Sequence, residues 1–134
     1  MIPPFNESGS LPPGVHPAGL DDIEARFGRE SELRRVQMES IRWMVDLAVR
    51  AGVQRIVLNG SFTTDIMEPN DVDCVLLVPP GRPRDVQAFR ELRTGLPFVD
   101  AAVVRSVGRF DEYLRGIFGM DRFGTPKGVI EVRV

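Results

Sequence analysis

The chain has 134 residues, of which 43% are hydrophobic and 27% are charged. This is the profile of one globular domain that buries its own core without disulfide bonds. The net charge of −2 gives no overall basic field, so long nucleic acid is the least expected partner. A lone cysteine, Cys74, favours a reducing, cytoplasmic setting, and no apolar run is long enough to span a membrane.

The first 19 residues are rich in proline and glycine, which predicts an irregular or extended N-terminal arm rather than a helix. The opening MIPPFNESGS lacks the basic and apolar regions of a signal peptide. Apolar residues within the arm favour docking on the domain over a disordered tail. Residues 20–134 are then expected to form the single domain, starting with a short helix at 22–27 that is capped by Asp21 and closed by Gly28.

The strongest helical pattern covers residues 31–51, where apolar side chains recur at helical spacing. Ser31 is the expected N-cap and Gly52 the expected C-terminal stop. Trp43 lies beside the apolar stripe and is expected to pack rather than to bind a ligand. Later in the chain, Pro83 predicts the first turn of a helix at 84–93.

Four apolar runs predict strands. They are RIVLN at 55–59, DVDCVLLV at 71–78, FVDAAVV at 98–104 and VIEVRV at 129–134. Gly95 is expected to end the 84–93 helix, and a further helix is predicted at 110–118. These elements together predict an α/β (α+β) domain, with a small mixed sheet and helices mainly on one of its faces.

The acidic residues at the start of the second strand indicate a metal site. Asp71 and Asp73 alternate with Val72, so a strand places both carboxylates on the same side. Two facing like charges require compensation, and a divalent cation such as Mg²⁺ prefers oxygen ligands of this kind. Asp100 joins the cluster if the 98–104 strand is a neighbour. The preceding Gly60-Ser61 turn combines close backbone approach with a hydroxyl and an amide for a phosphate oxygen.

This ordered set resembles the nucleotidyltransferase superfamily of the DNA polymerase beta type. The matching pattern is Gly60-Ser61, nine residues, Asp71-Val-Asp73, and then a later strand with Asp100, within residues 55–105. The short length resembles the minimal nucleotidyltransferases of bacteria and archaea. The two ends of the chain look like an uncharacterised bacterial branch with that core.

The resemblance implies a nucleotidyltransferase-like fold and Mg²⁺-dependent transfer of a nucleoside monophosphate from an NTP, such as ATP, to a hydroxyl group. The acceptor is a protein, a small molecule or an RNA end. Asp71 and Asp73 are expected to hold two Mg²⁺ ions. Asp100 is expected to bind the ion nearer the acceptor and to help remove the hydroxyl proton, while Gly60 and Ser61 bind the triphosphate.

Simpler interpretations stay open for each of these residues. Pro69-Asn70-Asp71 is turn chemistry by itself, and Ser61 suits an ordinary tight turn. Asp100 suits a polar strand edge. In DRFGTPKG, a hairpin-like loop is a stronger expectation than a phosphate contact through Asp121, Arg122 or Lys127, although Lys127 is the only lysine in the chain.

A second function from another class is a catalytically weak or inactive binding module with the same fold. Such a module would act as a protein partner, for example as an antitoxin or as one half of a toxin–antitoxin or defence pair. The three aspartates favour the enzyme. The connection FTTDIMEPN, which lacks a basic residue for phosphates, favours the binding module.

Overall fold

The structure, a computed structural model, describes residues 2–121 and 123–134. Five strands form one sheet: β1 (Gly14–Gly19), β2 (Arg55–Asn59), β3 (Val72–Leu77), β4 (Val99–Val104) and β5 (Gly128–Arg133). Their spatial order is β1-β5-β2-β3-β4. The β1–β5 and β3–β4 pairs are parallel, whereas β2 runs antiparallel to both β3 and β5. The predicted mixed α/β architecture is confirmed.

Four helices accompany the sheet: α1 (Leu20–Phe27), α2 (Glu32–Ala51), α3 (Val86–Thr94) and α4 (Val107–Glu112). The first three pack on one face of the sheet, where Ile41 of α2 shares a core with Ile56 and Leu76. On the other face, Phe110 of α4 packs with Val57 and Val75. A π-helical turn at Tyr113–Ile117 continues α4. The helices therefore lie mainly on one face, as predicted.

The ends of α2 confirm the predicted caps. The Ser31 side chain accepts a hydrogen bond of 3.1 Å from the backbone N–H of Arg34. Gly52 ends the helix in the left-handed region, at φ 85°, where a side chain would be unfavourable. Trp43, on the outer side of α2, keeps 47% of its surface exposed and does not enter the core.

Three other predicted helix starts are wrong. Helix α4, predicted at 110–118, begins at Val107, because the Ser106 side chain caps it by accepting a hydrogen bond of 3.1 Å from the N–H of Arg109. Helix α1 begins at Leu20, directly after β1, so Asp21 lies within the first turn and its carboxylate contacts Arg42 at 2.9 Å instead of capping the helix. Helix α3 begins later than predicted, because Asp85 caps it by accepting a hydrogen bond of 3.0 Å from the N–H of Ala88. Pro83 therefore precedes the helix rather than occupying its first turn.

The strand β1 was not predicted. Its sequence, GVHPAG, has little apolar alternation and contains Pro17, which cannot donate a hydrogen bond to a neighbouring strand. An edge position tolerates this, since β1 pairs on one side only. Earlier in the predicted arm, Ile2 and Leu11 are buried against the core. Within the described residues, none of the helices has both the length and the apolar content to cross a membrane.

Candidate functional site

Three polar side chains lie next to one another on the neighbouring strands β2, β3 and β4. Asn59 of β2 is the register partner of Asp73 of β3, and Asp73 is the register partner of Asp100 of β4. Side chains of register partners point to the same face of a sheet. Alternation along β3 assigns that face, because Val75, two residues after Asp73, packs in the core with α4. Asp73 and Asp100 are therefore direct neighbours, because the strand pairing on which this expectation depended is present.

Gly60 brings the turn after β2 into contact with Asp73. Its backbone has φ 85° and ψ −166°, a conformation that is essentially restricted to glycine. A Cβ added at Gly60 would lie 2.6 Å from the Oδ2 atom of Asp73. Ser61 then starts a short 3₁₀ turn at Ser61–Thr63. The glycine bend and the second acid of the Asp-Val-Asp motif thus meet at one point.

A buried arginine fixes the connection that follows the bend. The Arg34 side chain is only 2% exposed and forms its hydrogen bonds with backbone carbonyls. Two of these bonds reach Phe62 at 2.8 Å and Thr64 at 2.9 Å, and a third reaches Phe27 at 3.0 Å. The carbonyls of Ser61 and Ile66 are further acceptors. Burial lowers the pKa of Arg34, although Glu30 and Asp65 oppose this effect.

Sequence reasoning missed this role of Arg34. A signal was present, because Arg34 lies seven residues before the buried Ile41 and four before the buried Met38, on the apolar stripe of α2. A charged residue on the inner stripe of a helix must find hydrogen-bond partners in the interior. The neighbouring chain then has to supply carbonyl oxygens, as the 61–66 connection does.

A cavity of about 480 Å³ opens beside the bend and the central acid. Its lining includes Asn59, Gly60, Ser61, Asp73 and Lys127. Asp71 and Asp100 do not line it. The structure thus brings Gly60, Ser61 and Asp73 into one cavity, with Asp100 next to Asp73 in the sheet. Asp71 is exposed and lies one residue before β3.

The charged side chains around Asp73 have opposing effects on its pKa. Burial raises the pKa of Asp73, and the carboxylates of Asp100 and Asp71 raise it further. Lys127 acts in the opposite direction. Burial lowers the pKa of Lys127, while Asp73 and Asp121 oppose that decrease. Burial and the neighbouring acids therefore disfavour the ionised form of Asp73 more than Lys127 favours it.

The donor chemistry fits a hard divalent cation. Asp73 and Asp100 offer neighbouring carboxylates on one face, and carboxylate oxygens are the ligands that Mg²⁺ accepts most readily. The buried Oδ1 atom of Asn59 has no hydrogen-bond partner in the described part of the chain, which leaves one more oxygen beside Asp73. Across residues 2–121 and 123–134, however, no three His, Cys, Asp or Glu side chains converge as a ready metal-binding group.

Lys127 stands at the base of a hairpin that sequence reasoning treated mainly as a loop. The predicted hairpin-like loop is present, because Met120 and Pro126 form an antiparallel bridge and the N–H of Lys127 donates to the carbonyl of Gly119 at 2.9 Å. The same hairpin brings the half-buried Lys127 into the cavity. Arg122, which was considered with it, lies outside the described residues.

A family model described as a family of unknown function, DUF6932, matches residues 3–133. The chain belongs to the DUF6932 family. The matched region includes all five strands and every residue of the candidate site. No curated protein and no solved structure matches the chain. Because the DUF6932 description names no activity, the resemblance to nucleotidyltransferases stays a prediction.

Proposed function

We propose that this DUF6932 protein is a Mg²⁺-dependent nucleotidyltransferase with a nucleotidyltransferase-like fold. The observation that supports it most is the meeting of Gly60 with Asp73 while Asp100 is the register partner of Asp73. A glycine bend beside facing carboxylates suits a ligand that brings both phosphate oxygens and a divalent cation. The buried, unpaired Cys74 supports a reducing, cytoplasmic setting for the reaction.

In the proposed reaction, the oxygen of an acceptor hydroxyl attacks the α-phosphorus of an NTP. A new oxygen–phosphorus bond forms, the bond between the α-phosphorus and the bridging oxygen to the β-phosphate breaks, and pyrophosphate leaves. Asp100 takes up the hydroxyl proton. Ser61 and the backbone at Gly60 hold the triphosphate, and the fixed 61–66 connection keeps them in position.

Asp73, Asp71 and Asp100 are the residues that would hold Mg²⁺. When bound, Mg²⁺ would neutralise charge on the phosphates and stabilise the attacking and leaving oxygens. The raised pKa of Asp73 supports this assignment, because a cation would relieve the repulsion that Asp73 experiences from Asp100 and Asp71. The acceptor is a protein, a small molecule or an RNA end.

The test is transfer of label from α-³²P-labelled NTPs in MgCl₂, with the wild type compared with the double variant Asp71→Ala/Asp73→Ala. Acceptors are the protein itself, pooled small molecules that carry hydroxyl groups, and a short RNA. Glu68→Ala is the control, because Glu68 is an exposed acid in the connection before β3 and does not line the cavity. We expect label transfer by the wild type and by Glu68→Ala, and none by the double variant.

Equal transfer by the wild type and the double variant would refute the assignment of the aspartates. The absence of transfer with all four NTPs and every acceptor would refute the enzyme. Binding of a protein partner by such an inactive chain would instead support the binding module considered from the sequence.

A further inference from the structure

The lining of the cavity combines charged and apolar side chains. Its charged residues are Asp65, Asp73, Asp121 and Lys127. Its exposed apolar residues at the end of the π-helical turn and in the following hairpin are Ile117, Met120 and Phe123. A ligand that fills the cavity therefore meets both charged groups and an apolar surface.

The hairpin at 119–127 carries both a charged and an apolar residue of the lining, Lys127 and Phe123. At its base, Lys127 is bonded to Gly119. Nearer its tip, the N–H of Asp121 donates to the carbonyl of Thr125 at 2.9 Å. The Asp121 carboxylate accepts hydrogen bonds from the N–H groups of Phe123 at 2.8 Å and Thr125 at 3.0 Å. Phe123 is thus presented by an internally bonded turn.

Lys127 suits an anionic group of the ligand. Its side chain is half-buried, and among residues 2–121 and 123–134 it forms no ion pair with a carboxylate. A partly desolvated ammonium group gains most from a nearby anion, because the low dielectric strengthens their attraction. A phosphate group between Lys127 and a cation held by Asp73 would pair with both the ammonium group and the cation.

The apolar part of the lining suits a flat aromatic group. Phe123 is 84% exposed, Ile117 57% and Met120 44%, although all three are large apolar side chains. Adjacent exposed apolar side chains at a cavity mark a surface that a ligand covers. A phenyl ring stacks on the face of an aromatic ring such as a nucleobase, and a thioether also makes favourable contacts with aromatic rings.

We propose that the 119–127 hairpin binds a nucleotide through two residues. Lys127 pairs with the phosphates, and Phe123 stacks against the base. The choice of a nucleotide as ligand rests on the proposed function. Met120 and Ile117 extend the surface that covers the base.

The test is isothermal titration calorimetry in MgCl₂ with the α,β-methylene analogue of ATP, which cannot undergo the transfer step, and with inorganic tripolyphosphate, which has no base. Phe123→Ala should weaken binding of the ATP analogue about tenfold and leave binding of tripolyphosphate unchanged. Lys127→Met should weaken both ligands about tenfold, and Lys127→Arg should restore part of the loss. Circular dichroism spectra check that each variant is folded.

The control is Val107→Ala, because Val107 is 61% exposed but does not line the cavity, and its binding of both ligands should match that of the wild type. Wild-type affinity of Phe123→Ala for the ATP analogue would overturn the proposal, as would an equal loss for both ligands. The expected binding pattern without label transfer would support nucleotide binding by the hairpin and refute the proposed function. Label transfer by the wild type, together with unchanged nucleotide binding by Phe123→Ala, would support the proposed function and refute the role of the hairpin.

Discussion

The Oδ2 atom of Asp73 lies so close to Gly60 that a Cβ added to this glycine would be only 2.6 Å away from it. The central acid and the glycine bend are therefore packed against each other. Any residue other than glycine would displace Asp73 or the bend. This contact links the conformation of the turn to the position of the carboxylate.

Gly60→Ala is accordingly expected to lower the free energy of unfolding by about 2 kcal/mol or more, because it adds backbone strain at φ 85° to the clash with Asp73. Urea denaturation measures the change. Gly81→Ala is the matched control, since Gly81 also has a positive φ of 96° but has no atom within 4 Å of its added Cβ. In an Asp73→Ala background, the two glycine substitutions should have similar effects. Similar effects in the wild-type background would contradict the contact.

The raised pKa of Asp73 predicts a pH dependence of stability. The unfolded chain loses this proton near the ordinary value of 3.8, whereas the folded chain keeps it to a higher pH. Stability is therefore lost as the pH rises from the unfolded value through the folded one. Asp73→Asn, which cannot ionise, should be more stable than the wild type at pH 7, and the difference should shrink below pH 3.8.

Urea denaturation of both proteins between pH 3 and pH 8 (roughly the window in which a raised carboxyl pKa acts) checks this expectation. Glu68→Gln, an exposed substitution in the connection before β3, serves as the control and should follow the wild type. A constant difference between wild type and Asp73→Asn across the whole range would contradict an ionisation effect.

Mg²⁺ should stabilise the wild type through the same carboxylate. A ligand that binds only the folded state raises its stability by about 1.4 kcal/mol for each tenfold excess over its Kd. We therefore expect MgCl₂ to raise the Tm of the wild type and to leave that of Asp73→Asn nearly unchanged. Differential scanning calorimetry at constant ionic strength, with NaCl as the balancing salt, measures both. Equal increases for the two proteins would argue against a cation at Asp73.

Arg34→Met is expected to reduce the free energy of unfolding by roughly 3 kcal/mol or more, because buried carbonyls around Phe62 and Thr64 lose their donor. Chemical denaturation measures the loss. Arg35→Met, at the next position of α2, is the control, since Arg35 is exposed and donates a long hydrogen bond of 3.5 Å to the carbonyl of Arg29. Comparable losses for the two variants would show that the interior hydrogen bonds of Arg34 contribute little.

Much of the framework was predictable from local chemistry. RIVLN is β2 at the predicted residues, and Ser31 and Gly52 bound α2 as expected, because caps act through nearby backbone groups. The neighbouring position of Asp73 and Asp100 was predicted only on the condition that their strands pair. The sheet order meets that condition. The assignment of a metal and a reaction to these residues stays a prediction.

The parts that were missed depend on long-range contacts. Strand β1 forms because it pairs with β5, and the sequence GVHPAG by itself does not predict that pairing. Lys127 enters the cavity because the 119–127 hairpin closes next to β5, which no local pattern specifies. Arg34 was readable as a charge on an apolar stripe, but its acceptors lie beyond β2 in the sequence.

The place of β5 between β1 and β2 also bears on how the protein is assembled during synthesis. Strand β5 comes after the other four strands in the sequence, yet it fills the space between two that are translated much earlier. Until the ribosome releases residues 128–133, β1 has no neighbour and one edge of β2 is open. Pairings of such high contact order form slowly and leave aggregation-prone edges exposed. Lys127 directly precedes this strand, so the nascent chain completes its cavity only after residues 127–133 have left the ribosome.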